Sequence, residues 1–177
     1  MLTTVAVLVI VLGLMVSLAR DVRARSAERL TKELLRRLDV LVAQYRTRNL
    51  KGLPEQAARL YPRVESLFAD DPRADDEAKL RANAQRNNRQ LVRTLKSQAD
   101  LAGGAFSDLS IANYNEVNVL DAWGSPVAYM PHQHPLAGMA GGDRYFFFSA
   151  GPDRRYLTRQ DNLYSYENTS GGGGEDK

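Results

Sequence analysis

MLTTVAVLVIVLGLMVSLARDVRARSAERLTKELLRRLDVLVAQYRTRN, residues 1–49, decides how this chain is built. Residues 1–19 carry no charged side chain, and 5–19 are almost unbroken hydrocarbon. As a helix rising about 1.5 Å per residue, such a run covers roughly 28 Å, close to the hydrocarbon thickness of a bilayer. A buried core helix is the first competing reading. It would need a second layer around a helix apolar on every side, and a chain of 177 residues has little to spare for that. A cleaved secretory signal is the second, because Ser17-Leu18-Ala19 fits the small-x-small pattern that precedes cleavage. No Lys or Arg stands before the run, however, as such a signal normally requires. The run is therefore expected to stay attached as a single-pass membrane anchor.

Beyond Ala19 the pattern changes with no helix breaker. Leu30, Leu34, Leu38, Leu41 or Val42, and Tyr45 recur at three- and four-residue steps and predict one apolar stripe. Glu33 and Arg37 are spaced for a supporting ion pair. Gly52 and Pro54 supply the stop. One long helix over residues 3–49 follows, with a membrane half at 1–19 and an amphipathic stem at 20–50. Arg20, Arg23, Arg25, Arg29, Lys32, Arg36 and Arg37 crowd its middle. Without interleaved aromatics to stack on bases, this is no nucleic-acid site; it reads as a solvated or headgroup-facing surface.

Composition bounds the remainder. Hydrophobic content of 44% and charged content of 25% are those of a folded domain, and the net charge of +3 is mild. With no cysteine, disulfides, thiol catalysis and thiolate metal sites are excluded. Residues 54–68 carry a helical apolar pattern interrupted by Pro62, and residues 69–76 are a polar break able to cap the next helix. Residues 77–99 place Leu80, Ala84, Leu91, Val92 and Leu95 on one face, while Asn83, Gln85, Asn87, Asn88 and Gln90 read as its solvated side. After Gly103-Gly104 come β-prone pieces at 118–120, 126–130, 144–149 and 163–166, which predict a small antiparallel sheet. Trp123 is expected to plug the gap between sheet and stem, with Gly124 and Pro126 shaping its turn. The fold class is α+β: a long N-terminal helix, a helical middle segment and a C-terminal sheet. The head is assigned to 51–167 and a flexible SGGGGEDK-containing tail to 168–177.

An apolar N-terminal run continuing into an amphipathic stem resembles the type IV pilins and their pseudopilin relatives. Asp121-Ala122-Trp123-Gly124-Ser125-Pro126, then Tyr129, then Phe148-Ser149-Ala150-Gly151-Pro152-Asp153, then Asp161-Asn162 is similar to the C-terminal signature of the type II secretion major pseudopilins. The family pattern runs D-x-W-G-x-P, a tyrosine, a strand ending in S-x-G-x-D and a late acidic pair. The two regions cover roughly half of the chain. The sequence departs from the family in lacking a glycine-ended leader and the glutamate near the mature start: its first acid is Asp21 and its first glutamate Glu28. A leader upstream or a divergent relative accounts for this.

The resemblance implies a non-enzymatic subunit of a pilus-like export machine, in the inner membrane with a periplasmic head. Its partners would be like subunits, other pseudopilins and secretion components. The basic residues after the run would by themselves hold the head in the cytoplasm; the resemblance is followed here. The alternative is a tethered extracytoplasmic binding module that does not polymerise. The resemblance also implies calcium in the last loop, on Asp153, Asp161 and Asn162, although Arg154, Arg155 and Arg159 stand beside them and would pair with the carboxylates in a metal-free loop. Asp121, Trp123, Gly124, Pro126, Tyr129, Gly151 and Pro152 form its structural signature.

Other chemistry is sparse. His132 and His134 would share one face of a strand and grip zinc with Asp121 or Asp143, the basis of a hydrolase reading. Pro131 and Pro135 flank them and favour a surface loop. The glycine-rich 138–143 stretch lacks the lysine of a phosphate loop and reads as a mobile hairpin connection.

Overall fold

The structure, a computed structural model, describes residues 2–51, 62–68, 76–97, 114, 117–142 and 144–169, with side chains in the first helix from Ile10 onward. The expected helical pattern at 54–61, the polar break at 69–75, Gly103-Gly104, Asp143 and the tail from 170 lie outside these residues. Helix α1 (Leu2–Asn49) is continuous over 48 residues, about 72 Å at the usual helical rise. Helix α2 (Glu77–Lys96) follows, then strands β1 (Ala128–Met130), β2 (Phe146–Ser149) and β3 (Leu163–Tyr164), and a 3-10 turn (Ser165–Thr169). The sheet is antiparallel in the order β1-β2-β3. The architecture is α+β, as the periodicities indicate.

α1 divides sharply. No residue from Ile10 to Leu30 is buried. Leu14 and Leu18 are 66% and 65% exposed, and every residue from Ile10 to Ala19 is exposed. Burial begins at Thr31 and continues through Leu34, Leu35, Leu38, Leu41, Val42 and Tyr45. Leu30, assigned to the stripe from its spacing, lies outside it at 58% exposure. Thr31 takes the contact because its hydroxyl accepts the Ala122 N–H at 3.1 Å, which sets the rotation of the helix against the head. Glu33 receives both Arg36 and Arg37, and the two guanidinium groups hold its carboxyl down at about 2.

α2 starts where Asp76 caps it, its Oδ1 accepting from Ala78 N and Lys79 N. Its apolar face packs where expected, with Leu80, Ala84, Leu91, Val92 and Leu95 buried. Residues 62–68 are not helical; they run irregularly along α2 with Pro62 and Leu67 buried. The sheet is covered on both sides, which explains the uninterrupted Phe146-Phe147-Phe148 of β2. Tyr129 and Phe147 point to a core shared with α1 and α2. Ala128, Met130, Phe146, Phe148 and Tyr164 face a second core with Leu67, Leu80, Ala84 and Tyr156.

Candidate functional site

The two signature motifs meet at one carboxylate. Asp121 is 1% exposed and ends the 118–121 segment. Its Oδ1 accepts the Trp123 N–H at 3.0 Å and the Ser125 N–H at 2.8 Å, which folds the D-x-W-G-x-P element into a tight turn. The backbone closes the same turn, Asp121 N to Ser125 O at 2.8 Å and Gly124 N to Asp121 O at 3.0 Å. Gly124 holds φ +83°, which a side chain would resist. Oδ2 accepts the Ser149 hydroxyl at 2.6 Å, and the Ser149 oxygen in turn accepts the Gly151 N–H at 3.0 Å. One acid thus joins the turn to the end of β2. Burial raises its pKa above 3.8, against the pull of its hydrogen bonds from Ser149, Ser125 and Trp123 and of the Arg154 charge.

The loop after β2 locks onto this knot. Gly151 adopts φ +67°, and a Cβ there would stand 1.9 Å from the Asp161 carbonyl oxygen, so the late Asp161-Asn162 backbone presses directly on it. The Tyr156 hydroxyl donates to Pro126 O at 2.7 Å, returning the loop to the turn, and Asn162 Nδ2 donates to Tyr156 O at 2.9 Å. Asp121, Pro126, Gly151 and Asn162 are buried at this junction, Tyr129 is buried in the core next to it, and Gly124 and Pro152 are exposed. Trp123 does not plug the sheet–stem gap. It is half-buried and outside both cores, because the turn needs only its N–H. Leu35, Leu38 and Val42 meet Tyr129 and Phe147 directly in that place.

The asparagines of α2 are the residues that pattern reading missed. Asn83, Asn87 and Asn88 are buried. Asn87 Oδ1 accepts the Tyr129 N–H at 2.8 Å, and its Nδ2 donates to Tyr129 O at 2.8 Å and Glu65 O at 2.7 Å. Asn88 treats Val119 the same way, Oδ1 to N at 2.8 Å and Nδ2 to O at 2.9 Å, and adds Val127 O at 2.6 Å. Each carboxamide does what a neighbouring strand would do, pairing both backbone groups of one residue: Tyr129 on the edge strand β1, and Val119 in an isolated bridge outside the sheet. Asn83 holds Leu67 O and Gln90 holds Glu65 N, which anchors 62–68. The i, i+4, i+5 spacing of three asparagines was the available signal.

Of the loop proposed for calcium, Asp153 and Asp161 are exposed, and Asp153 Oδ1 accepts the Arg155 N–H at 2.9 Å. The arginines turn elsewhere: Arg155 to Glu77 at 4.0 Å, and Arg159 to Pro135 O at 3.4 Å. Neither aspartate makes an ion pair among the described residues. Asn162 Oδ1 is buried with no hydrogen-bond partner among them, the one oxygen of the three expected ligands that is both buried and unsatisfied. No group of three His, Asp or Glu side chains converges there or anywhere else among the described residues. Protein carbonyls and water would have to complete the shell.

His132 is exposed, and His134 stacks on Phe68 at 4.0 Å while its Nδ1 accepts the Leu136 N–H. His134 also closes a reverse turn with Gly138. Asp121 is committed to its turn, so a zinc site of these histidines with Asp121 does not assemble; Asp143, the other expected ligand, lies outside the described residues. Gly138 is packed rather than mobile, since a Cβ there would meet the Tyr164 ring at 2.7 Å. A cavity of about 120 Å³ lies between Asp39, Arg144, Tyr145 and Tyr166.

Comparison with known protein families, curated proteins and solved structures returns no match. Among the described residues no helix is long and apolar enough to cross a membrane; the side chains of residues 1–9, half of the apolar run, lie outside that set.

Proposed function

We propose that this chain is a non-enzymatic, pseudopilin-like subunit of a type II secretion or related pilus-like export machine. In this reading residues 1–19 sit in the inner membrane as a single pass, and the head stands on the periplasmic side, contacting like subunits and other secretion components. The observation that carries the proposal is the junction at Asp121. The elements on which the sequence resemblance rests are distant in the chain, yet they share one buried hydrogen-bonded knot that docks on the stem through Thr31. The exposed stretch of the apolar run supports the anchor, since Ile10, Leu12, Leu14, Met15 and Leu18 are all more than half exposed among the described residues. Calcium at Asp153, Asp161 and Asn162 belongs to the same proposal.

Protease treatment of intact spheroplasts tests it. The head is expected to be digested while a membrane-embedded fragment of residues 1–19 survives. A protected head places the domain in the cytoplasm and removes the export reading. Recovery of the chain, still starting at Met1, in the soluble fraction without detergent removes the anchor itself.

The tethered, non-polymerising module is favoured by one specific feature. Residues 1–20 contain no acid that could pair with a neighbouring subunit's amine inside the membrane. Cysteine cross-linking at Leu14 in native membranes separates the two, because only an assembling subunit yields ladders beyond dimer.

A further inference from the structure

The segment between the apolar run and the head, residues 20–30, is exposed apart from Ala27 and Glu28, which are partly covered. It has no buried residue, and the head begins only at Thr31. Its charges are of two kinds. Arg25 is neutralised by Asp21 at 2.9 Å, and further along Lys32 pairs with Glu28 while Arg36 and Arg37 share Glu33. Arg20, Arg23 and Arg29 are exposed and pair with no acid among the described residues. At about 100° per residue these three stand near 0°, 300° and 180° around the axis, so the uncompensated charge covers one half of the helix circumference, spread over about 13 Å of its length.

We infer that Arg20, Arg23 and Arg29 form a half-collar for anionic phospholipid headgroups at the leaflet from which the head emerges. The inference rests on the membrane reading above, and it holds for either orientation of the head. Position and reach agree. Arg20 follows directly on the last apolar residue, and helix side chains lean toward the N-terminus, which here points back to the bilayer. The arginine stems can lie along the helix while the guanidinium groups stay among phosphates. Salt screens attraction of this kind because the groups are exposed.

The test adds the full chain from dilute detergent to limiting amounts of phosphatidylcholine vesicles, with or without phosphatidylglycerol, and measures flotation. Each basic residue near an anionic surface strengthens binding about five-fold, so the three together should favour the anionic vesicles by about a hundred-fold at low salt. That preference should vanish at about 0.5 M salt and in the triple variant R20Q/R23Q/R29Q. These side chains are exposed and bond to no described residue, so the variant should fold and still float with neutral vesicles. Equal flotation of the native chain with both vesicle types, or a preference that survives the triple variant, overturns the collar and leaves the anchor standing. Failure to float with either vesicle removes the anchor, and the collar with it.

Discussion

Replacing Asn87 with alanine should be among the most damaging single changes in the head, although the residue sits on a face that looks polar and dispensable. The carboxamide satisfies the Tyr129 N–H, the Tyr129 carbonyl and the Glu65 carbonyl. Tyr129 is fully buried, so its two groups have no route to solvent once the side chain is gone. Each buried group left unsatisfied costs about 1–3 kcal/mol, which makes the loss about 3 kcal/mol or more before the cavity is counted. Against a typical stability of about 5–15 kcal/mol, that is a large share. For a head of this size the melting temperature should fall on the order of 10 °C. Thermal unfolding of the full chain in mild detergent, followed by near-ultraviolet circular dichroism, measures it. Gln85→Ala, on the exposed side of α2, is the control and should change little. Asn87→Asp sharpens the argument, because a carboxylate keeps the acceptor for Tyr129 N–H but turns an oxygen toward two carbonyls. Protonation would relieve that contact, so the defect of Asn87→Asp should shrink as pH falls from neutral toward 4. An Asn87→Ala variant no less stable than Gln85→Ala would refute the idea that the carboxamide stands in for a strand.

Three further outcomes follow from the junction. The pKa of Asp121 is raised above 3.8 chiefly by burial, so the native state holds its proton more tightly than the unfolded chain does. Its contribution to stability is full below pH 3.8 and is lost as pH rises through the folded value, and denaturant titrations of Asp121→Asn should show a flatter pH dependence than the native chain across that window. A pH-independent difference between the two would contradict it. Gly151→Ala should cost about 3 kcal/mol or more, since the left-handed backbone alone costs about 1–2 kcal/mol and the new methyl collides with the Asp161 carbonyl. Gly124→Ala, equally left-handed but with open space around it, should lose only the backbone part, and equal losses at both would show that the contact is not as described. Calcium should raise the melting temperature of the full chain and a chelator should lower it, through the buried Asn162 oxygen and Asp161; identical curves would take the metal out of the proposal.

The elements legible in advance were those governed by local periodicity. Leu34, Leu38 and Tyr45 announce a stem whatever they pack against, and Asp76 announces a cap. The errors came where a distant partner decides. Residues 62–68 have a helical apolar pattern, yet α2 offers their backbone better partners in Asn83, Asn87 and Gln90. Trp123 looked like the core plug because it is large, but the turn that carries it is organised by the Asp121 carboxylate and leaves the ring at the rim.

By itself the sequence determined the long helix with its apolar and charged halves, the second helix and three of the four expected β pieces; the fourth, 118–120, forms only isolated bridges to Tyr114 and Pro126. Hydrophobic spacing and turn residues act over a few positions and need no knowledge of the rest of the chain. Only the tertiary structure decided that a row of asparagines is buried as a surrogate strand, that Asp121 joins two motifs through Ser149, and that Thr31 rather than Leu30 meets the head. Backbone N–H and C=O groups at a sheet edge must be paired once buried, and which side chains pair them depends on segments brought together from across the fold.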